Sequence, residues 1–280
     1  MPVIFRRPTT PGQRGMSINR QTHLSKKRPE KSLTEILKKH AGRDRFGRIS
    51  IRHRGGGNKR HYRIISALEK GPVTQAKILA LEYDPNRSAN IALIEYNEGT
   101  RAYILAAHEM KIDQIIEAGE KALLENGNRL PLGKIPRGFQ IYDIALDPNR
   151  KGAMVRSAGA SATIQSHEDN GRYVQIKLPS GEIRRVLAAA YASLGSVSNP
   201  EHSSVMLGKA GRVRHMGWRP QVRGKAMNTN DHPHGGGEGS NSIGLKYPKT
   251  PWGKHALGKR TRRNKRTNTF IARSRHETRR

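Results

Sequence analysis

The surplus positive charge of this chain sits entirely at its two ends, and that distribution limits what can fold. Residues 1–63 carry 18 Lys/Arg against 3 Asp/Glu, and residues 208–280 carry 19 against 3. The stretch between them, 64–207, carries 16 of each and is neutral, so the two ends account for the whole formal charge of +31. Like charges spread along Gly-rich arms oppose compaction, and the core has to come from the neutral half. Both arms need a dense polyanion to lie against; the body does not.

Three classes of partner suit such a charge: nucleic acid, an acidic membrane or an acidic protein. Membrane binding calls for a basic amphipathic helix with large apolar residues on its other face. Here Gly, Pro, Asn and Thr are scattered among the arm charges, which forbids long helices, so nucleic acid leads. The absence of cysteine excludes disulfides, thiolate zinc sites and thiol catalysis, and fits a reducing compartment. No apolar run approaches the ~18 residues of a membrane span. The start, Met1-Pro2-Val3-Ile4-Phe5-Arg6-Arg7, lacks the apolar core and cleavage site of a signal peptide. A soluble, cytoplasmic protein is expected.

Within the first arm, Ser32-Leu33-Thr34-Glu35 has the capping-box pattern, with Leu33, Ile36 and Leu37 on one face, and predicts a short helix. Beyond it, Arg52-His53-Arg54-Gly55-Gly56-Gly57-Asn58-Lys59-Arg60 reads as a basic glycine linker that touches phosphates. It lacks the Gly-Lys-Ser/Thr ending of a nucleotide-binding P-loop. The neutral body reads as strands: 61–68, 76–83, 91–96 and 102–106, with Asn97-Glu98-Gly99-Thr100 as a hairpin turn. After the break at Glu125-Asn126-Gly127-Asn128 a second series covers 139–146, 162–167, 173–178 and 182–187. Residues 112–124 have partial helical spacing, but Gly119 and the surrounding pattern favour a strand over part of them. Short strands without long intervening helices predict two small barrels. Their thin cores, and the still thinner apolar content of the arms, predict arms that order only on the polyanion.

In the second arm, Arg223-Gly224-Lys225-Ala226-Met227-Asn228 leads to Asp231-His232-Pro233-His234-Gly235-Gly236-Gly237-Glu238-Gly239. His232 and His234 would face one side of an extended segment and could hold a metal, with Glu238 as a third ligand, but glycines and Pro233 give no rigid scaffold. Asp231 beside an imidazole could make a general base, yet no nucleophile or second catalytic group accompanies it. A backbone threaded through a crowded space, with glycine removing bulk and histidine bonding to bases or phosphates, explains the charges, glycines and prolines together.

This string lies within a longer ordered series. It includes Pro8-Thr9-Thr10-Pro11-Gly12, Arg52 to Gly57, Tyr83-Asp84-Pro85-Asn86-Arg87-Ser88-Ala89-Asn90-Ile91-Ala92 and Arg156-Ser157-Ala158-Gly159. It continues with Leu207 to Arg212, Thr250-Pro251-Trp252-Gly253 and Asn264-Lys265-Arg266-Thr267. In this order the chain resembles, over nearly its whole length, the universal large-subunit ribosomal protein L two family in its bacterial form. Thr229-Asn230 stands where that family commonly has Pro-Val. The resemblance implies a mainly β fold: an OB-like barrel over 61–125, an SH3-like barrel over 126–200, and basic extensions over 1–60 and 201–280. It implies binding to 23S-type large-subunit rRNA near the peptidyl transferase centre, with roles in subunit association, tRNA binding and peptide-bond formation. Further expected partners are the small subunit at an intersubunit bridge and neighbouring ribosomal proteins, with no membrane and no homo-oligomer. The histidine at the position of His232 is the family's candidate for aiding peptide-bond formation, but the local residues lack a catalytic set, so no enzyme is expected. No metal site or cofactor is expected either, with room for Mg2+ only through rRNA phosphates. A general single-strand nucleic-acid-binding architectural protein is the alternative.

The RNA-contacting candidates are the arginines, which can bond bidentately and stack, and the lysines near them. In the first arm and body they are Arg52, Arg54, Lys59, Arg60 and Arg87. The second arm offers Arg212, Arg214, Arg219 and Arg223, then His232 and His234. Lys259, Arg260, Arg262, Arg263, Lys265 and Arg266 form a Gly- and Asn-interleaved run suited to a narrow RNA channel. Trp218 and Trp252 either stack on a base or ribose or serve as local apolar anchors.

Overall fold

A computed structural model describes residues 3–67, 73–168, 170–239, 241–259 and 261–277. The chain divides into two compact units. One takes in residues 1–38, 59–209 and 267–280, and the other residues 39–58 and 210–266.

The first unit is mainly β. β1 (Val3–Phe5) pairs antiparallel with β2 (Ser17–Asn19), and β3 (Thr34–Ile36) with β4 (His61–Arg63). The OB-like barrel uses β5 (Val73–Glu82), β6 (Ile91–Tyr96), β7 (Arg101–Leu105) and β8 (Ile115–Gly119). The SH3-like barrel uses β9 (Arg129–Pro131), β10 (Gln140–Tyr142), β11 (Ala162–His167), β12 (Tyr173–Lys177), β13 (Ile183–Leu187) and β14 (Tyr191–Leu194). One continuous sheet of 11 strands runs through both barrels and ends on β15 (Ile271–Arg273) beside β13. Its single parallel step, Ala118 opposite Arg129, joins β8 to β9 and so one barrel to the next.

Burial explains the pattern of apolar residues. Ile91 to Ile94 in β6 are all buried, because Ala92 and Ile94 enter one core with Ile78, Ile104 and Ile116 while Ile91 and Leu93 enter another with Ile65 and Tyr103. A strand covered on both faces reads as an unbroken apolar run. The second barrel closes over Ile141, Ile164, Val174, Ile176 and Leu194. Several polar side chains are buried inside this frame. The Tyr103 hydroxyl donates to Glu82 Oε2 at 2.8 Å and accepts the Glu30 backbone N–H at 2.9 Å, which ties the first arm to the barrel. Arg129, 2% exposed, donates to the Asp143 carbonyl at 2.8 Å.

The hairpin at 97–100 forms as expected, with Gly99 at φ 77° and its N–H donating to the Tyr96 carbonyl at 2.8 Å. The strand within 112–124 is β8. The expected helix starting at Ser32 is absent: Lys31–Leu33 make one 3-10 turn and Thr34–Ile36 become β3. A lone short helix is marginal in water, whereas β3 gains β4 as a partner and Leu33 packs against the Ile65–Tyr103 core. The expected strand 61–68 stops at Arg63, and Leu68 lies outside the described residues. The run 139–146 breaks after Tyr142 because Asp143 adopts φ 47° to meet Arg129, and Ile144 pairs instead with Met154. Short β9 and β14 and the returning β15 are strands that the sequence pattern did not indicate. No helix among the described residues is long and apolar enough to cross a membrane.

Candidate nucleic-acid interface

Charge concentrates in the second unit, which carries 20 Lys/Arg against 3 Asp/Glu. It is not two independent arms. The glycine linker of the first arm lies along residues 215–219 of the second, just past α1 (Ala210–His215). Gly55 N–H donates to the Gly217 carbonyl, Asn58 N–H to His215 and Arg219 N–H to His53, each at 3.0 Å. Gly57, at φ 80°, is required here: a Cβ on it would sit 2.9 Å from the Gly217 Cα. Only glycine combines that conformation with that approach.

Side chains reinforce the pairing. The Arg54 guanidinium carbon lies 3.4 Å from the Trp218 ring centroid, and Arg214 Nη1 donates to the Trp218 carbonyl at 3.0 Å. Trp218 is therefore an anchor on one face while 43% of it remains exposed. Trp252 is 72% exposed and presents an open ring. Arg52, Arg54, Arg219 and Arg223 are exposed; Arg212 and Arg214 are half-buried. Lys259, Arg262, Arg263, Lys265 and Arg266 are exposed, and Arg260 lies outside the described residues.

Among the described residues of this unit His232 is the one buried side chain, at 8% exposure. Its Nδ1 accepts the His234 backbone N–H at 3.0 Å, which leaves the proton of the neutral ring on Nε2. His234 Nε2 accepts the Lys249 N–H at 2.8 Å, and the two rings stand 4.6 Å apart. Gly224 seals the other side: a Cβ there would lie 2.6 Å from His232 Cε1. The glycine removes bulk, as the sequence indicated, but for a histidine of the same unit. No cluster of three or more His, Asp or Glu that could hold a metal occurs among the described residues.

Three candidates lie in the first unit. Lys59 is exposed and Arg60 half-buried. Arg87 Nε donates to fully buried Asp84 at 2.6 Å, while Asn86 N–H caps the same carboxylate at 2.9 Å. This locks the turn after β5, with 16% of the Arg87 side chain exposed.

Residues 30–118, which contain the glycine linker, match the family model described as Ribosomal Proteins L2, RNA binding N-terminal domain. Residues 125–253, which contain the second barrel, the His232 segment and Trp252, match Ribosomal Proteins L2, C-terminal domain. The chain belongs to the ribosomal protein L2 family. A ribosomal, RNA-binding structural component of the large subunit is what the L2 domains support, and the mainly β double-barrel architecture agrees with it. The basic run from Lys259 to Arg266 lies beyond the matched L2 domains. Arg43, upstream of the glycine linker, went unnoticed in the sequence. Its signal was the turn chemistry of Gly42-Arg43-Asp44-Arg45-Phe46-Gly47, where the Asp44 side chain accepts the Phe46 and Arg48 N–H groups at 2.9 and 3.0 Å.

Proposed function

We propose that this chain binds 23S-type large-subunit rRNA near the peptidyl transferase centre and supports subunit association, tRNA binding and peptide-bond formation by positioning RNA. The observation that carries this reading is the second unit: a highly basic body with one buried side chain among its described residues, shaped by glycine contacts and backbone bonds. Such a unit has too little apolar burial to stand as an enzyme domain, and its charge needs a counterpart. Neutralised phosphates supply most of the affinity; ten contacts would give a log–log salt slope of roughly −7 to −9. Base contacts at unstacked positions add about 1–3 kcal/mol each, with arginine the preferred donor.

The His232 segment contributes to the functional centre by holding its own shape. Buried His232 with Nδ1 already engaged fits a positioning residue, so the reading needs no catalytic group and no cofactor beyond Mg2+ held by rRNA phosphates. The small subunit at an intersubunit bridge and neighbouring ribosomal proteins complete the set of partners, in the ribosome of the cytoplasm. Crosslinking in cells followed by sequencing of the attached RNA tests this. Crosslinks should concentrate in large-subunit rRNA around the peptidyl transferase centre, and an even spread over messenger RNA or DNA would overturn the reading.

A further inference from the structure

Residues within 41–56 do more than pair with the second arm; together with Arg219 they line a cup of about 470 Å³. That falls within the roughly 300–1,000 Å³ of small-ligand sites. Arg43, Arg52, Arg54 and Arg219 line it, and no lining residue is acidic. Two of the four have internal duties: Arg43 Nη1 donates to the Gly47 carbonyl at 2.8 Å and Arg54 stacks on Trp218. Among the described residues, the Arg52 and Arg219 side chains make no hydrogen bond or ion pair.

One wall of the cup is apolar. Ile49 and Ile51 line it while remaining 64% and 57% exposed. His53, at φ 59°, adds one acceptor: its Nδ1 lies 3.1 Å from the Pro220 carbonyl and donates to it, which leaves Nε2 as the lone-pair nitrogen of the neutral ring. The cup thus combines two uncommitted cations, an apolar wall and one acceptor. A bare phosphate would use the cations and leave the isoleucines wet. An acidic peptide side chain would leave most of the volume empty. Paired RNA cannot enter, because its bases stay stacked.

Resting on the RNA-binding reading above, we propose that this cup holds one unstacked nucleotide. Its phosphate lies on Arg52 and Arg219, its base lies flat against Ile49 and Ile51, and its amino or hydroxyl hydrogens reach His53 Nε2. The same chemistry describes a residue of an RNA loop or bulge and a free mononucleotide, and the RNA residue is the one favoured by the strongly basic unit that holds the cup.

The test uses the full-length chain with the photocrosslinker p-benzoylphenylalanine in place of Ile51, and in a second protein in place of Leu257, which is 66% exposed in the same unit. Each is irradiated after assembly with large-subunit rRNA. The Ile51 probe should mark one unpaired nucleotide, and Arg52→Ala with Arg219→Ala should cut its yield about tenfold or more by removing the charge-assisted bonds, with the Leu257 crosslink unchanged. Arg52→Lys with Arg219→Lys keeps the charge and should restore part of the yield. Displacement of the Ile51 crosslink by millimolar AMP or UMP would keep the cup and assign it to free nucleotide. An Ile51 probe that marks paired nucleotides, or none, while Leu257 still marks rRNA overturns the cup alone. Loss of both crosslinks overturns the RNA-binding reading beneath it.

Discussion

The Arg54 guanidinium lies 3.4 Å from the centre of the Trp218 ring, joining residues more than half the chain apart in sequence. Both belong to basic arms, yet the pair spends one arginine and one ring face inside the protein. A cation over an exposed ring contributes about 0.5–1 kcal/mol, enough to align the glycine linker but not to make a core.

The two tryptophans should therefore behave differently. In Trp218→Phe, the remaining Trp252 should be quenched by acrylamide more strongly than Trp218 is in Trp252→Phe. Adding an rRNA fragment should quench Trp252 more than Trp218. Trp252→Ala should weaken binding by about 1–3 kcal/mol, the worth of one stacked base. Equal affinity of Trp252→Ala and the parent chain would show that its ring meets no base.

Replacing Arg262, Arg263, Lys265 and Arg266 with alanine should weaken rRNA binding and flatten its salt dependence. Each lost phosphate contact removes roughly 0.7–0.9 from the log–log slope. Titrations between low and moderate salt read this directly, and an unchanged slope would place the run away from phosphates.

Amide exchange should be fast in 39–58 and 210–266 of the free protein and slow once an rRNA fragment is bound. One buried side chain among the described residues gives little resistance to local opening. Strong protection without RNA would show that the unit is stable alone. Gly57→Ala should reduce the protection gained on binding, because its Cβ would strike Gly217.

His232→Ala should impair assembly or subunit joining more than peptide-bond formation. Gly224→Ala provides the companion test, since it displaces the ring while keeping the imidazole. If His232 works by shape, both variants share a defect in particle assembly. Particles of His232→Ala that assemble normally yet lose peptide-bond formation in single turnover would point to chemistry.

Two carboxylates should pull stability in opposite directions with pH. Burial pushes Glu82 above its ordinary value, with the Tyr103 hydrogen bond opposing. The folded state then holds a proton that the unfolded chain has released, so stability falls as pH rises from the ordinary glutamate value through the raised one. Glu82→Gln should remove that fall. Glu168 is held below its ordinary value by Arg185, which bonds both its oxygens at 2.6 and 2.7 Å. Its contribution is present above the ordinary value and lost as pH drops through the lowered one. Melting temperatures of the two glutamine variants across acidic pH separate these effects.

What the sequence revealed was local. The 91–96 and 102–106 strands and their turn were legible because burial on both faces and a positive-φ glycine leave a signature within twenty residues. Arg54 and Trp218 were each legible as candidates, but their stacking was not, since nothing in either neighbourhood names a partner so far along the chain. The Ser32 capping pattern misled for the same reason: the strand that captures Thr34–Ile36 begins at His61. The burial of His232 was not legible either, because exposure cannot be read from a histidine among glycines. Gly224, eight residues earlier, and the neighbouring His234 ring close over it.

The short β15, at residues 271–273, changes the topology of the second arm. With that strand hydrogen-bonded to β13, residues 210–266 have both ends fastened to one folded unit and form a closed loop rather than a tail. A tail can be drawn end-first into a finished RNA channel; a closed loop cannot. End-first threading of residues 210–266 into such a channel would therefore require the three-residue β15 pairing to open.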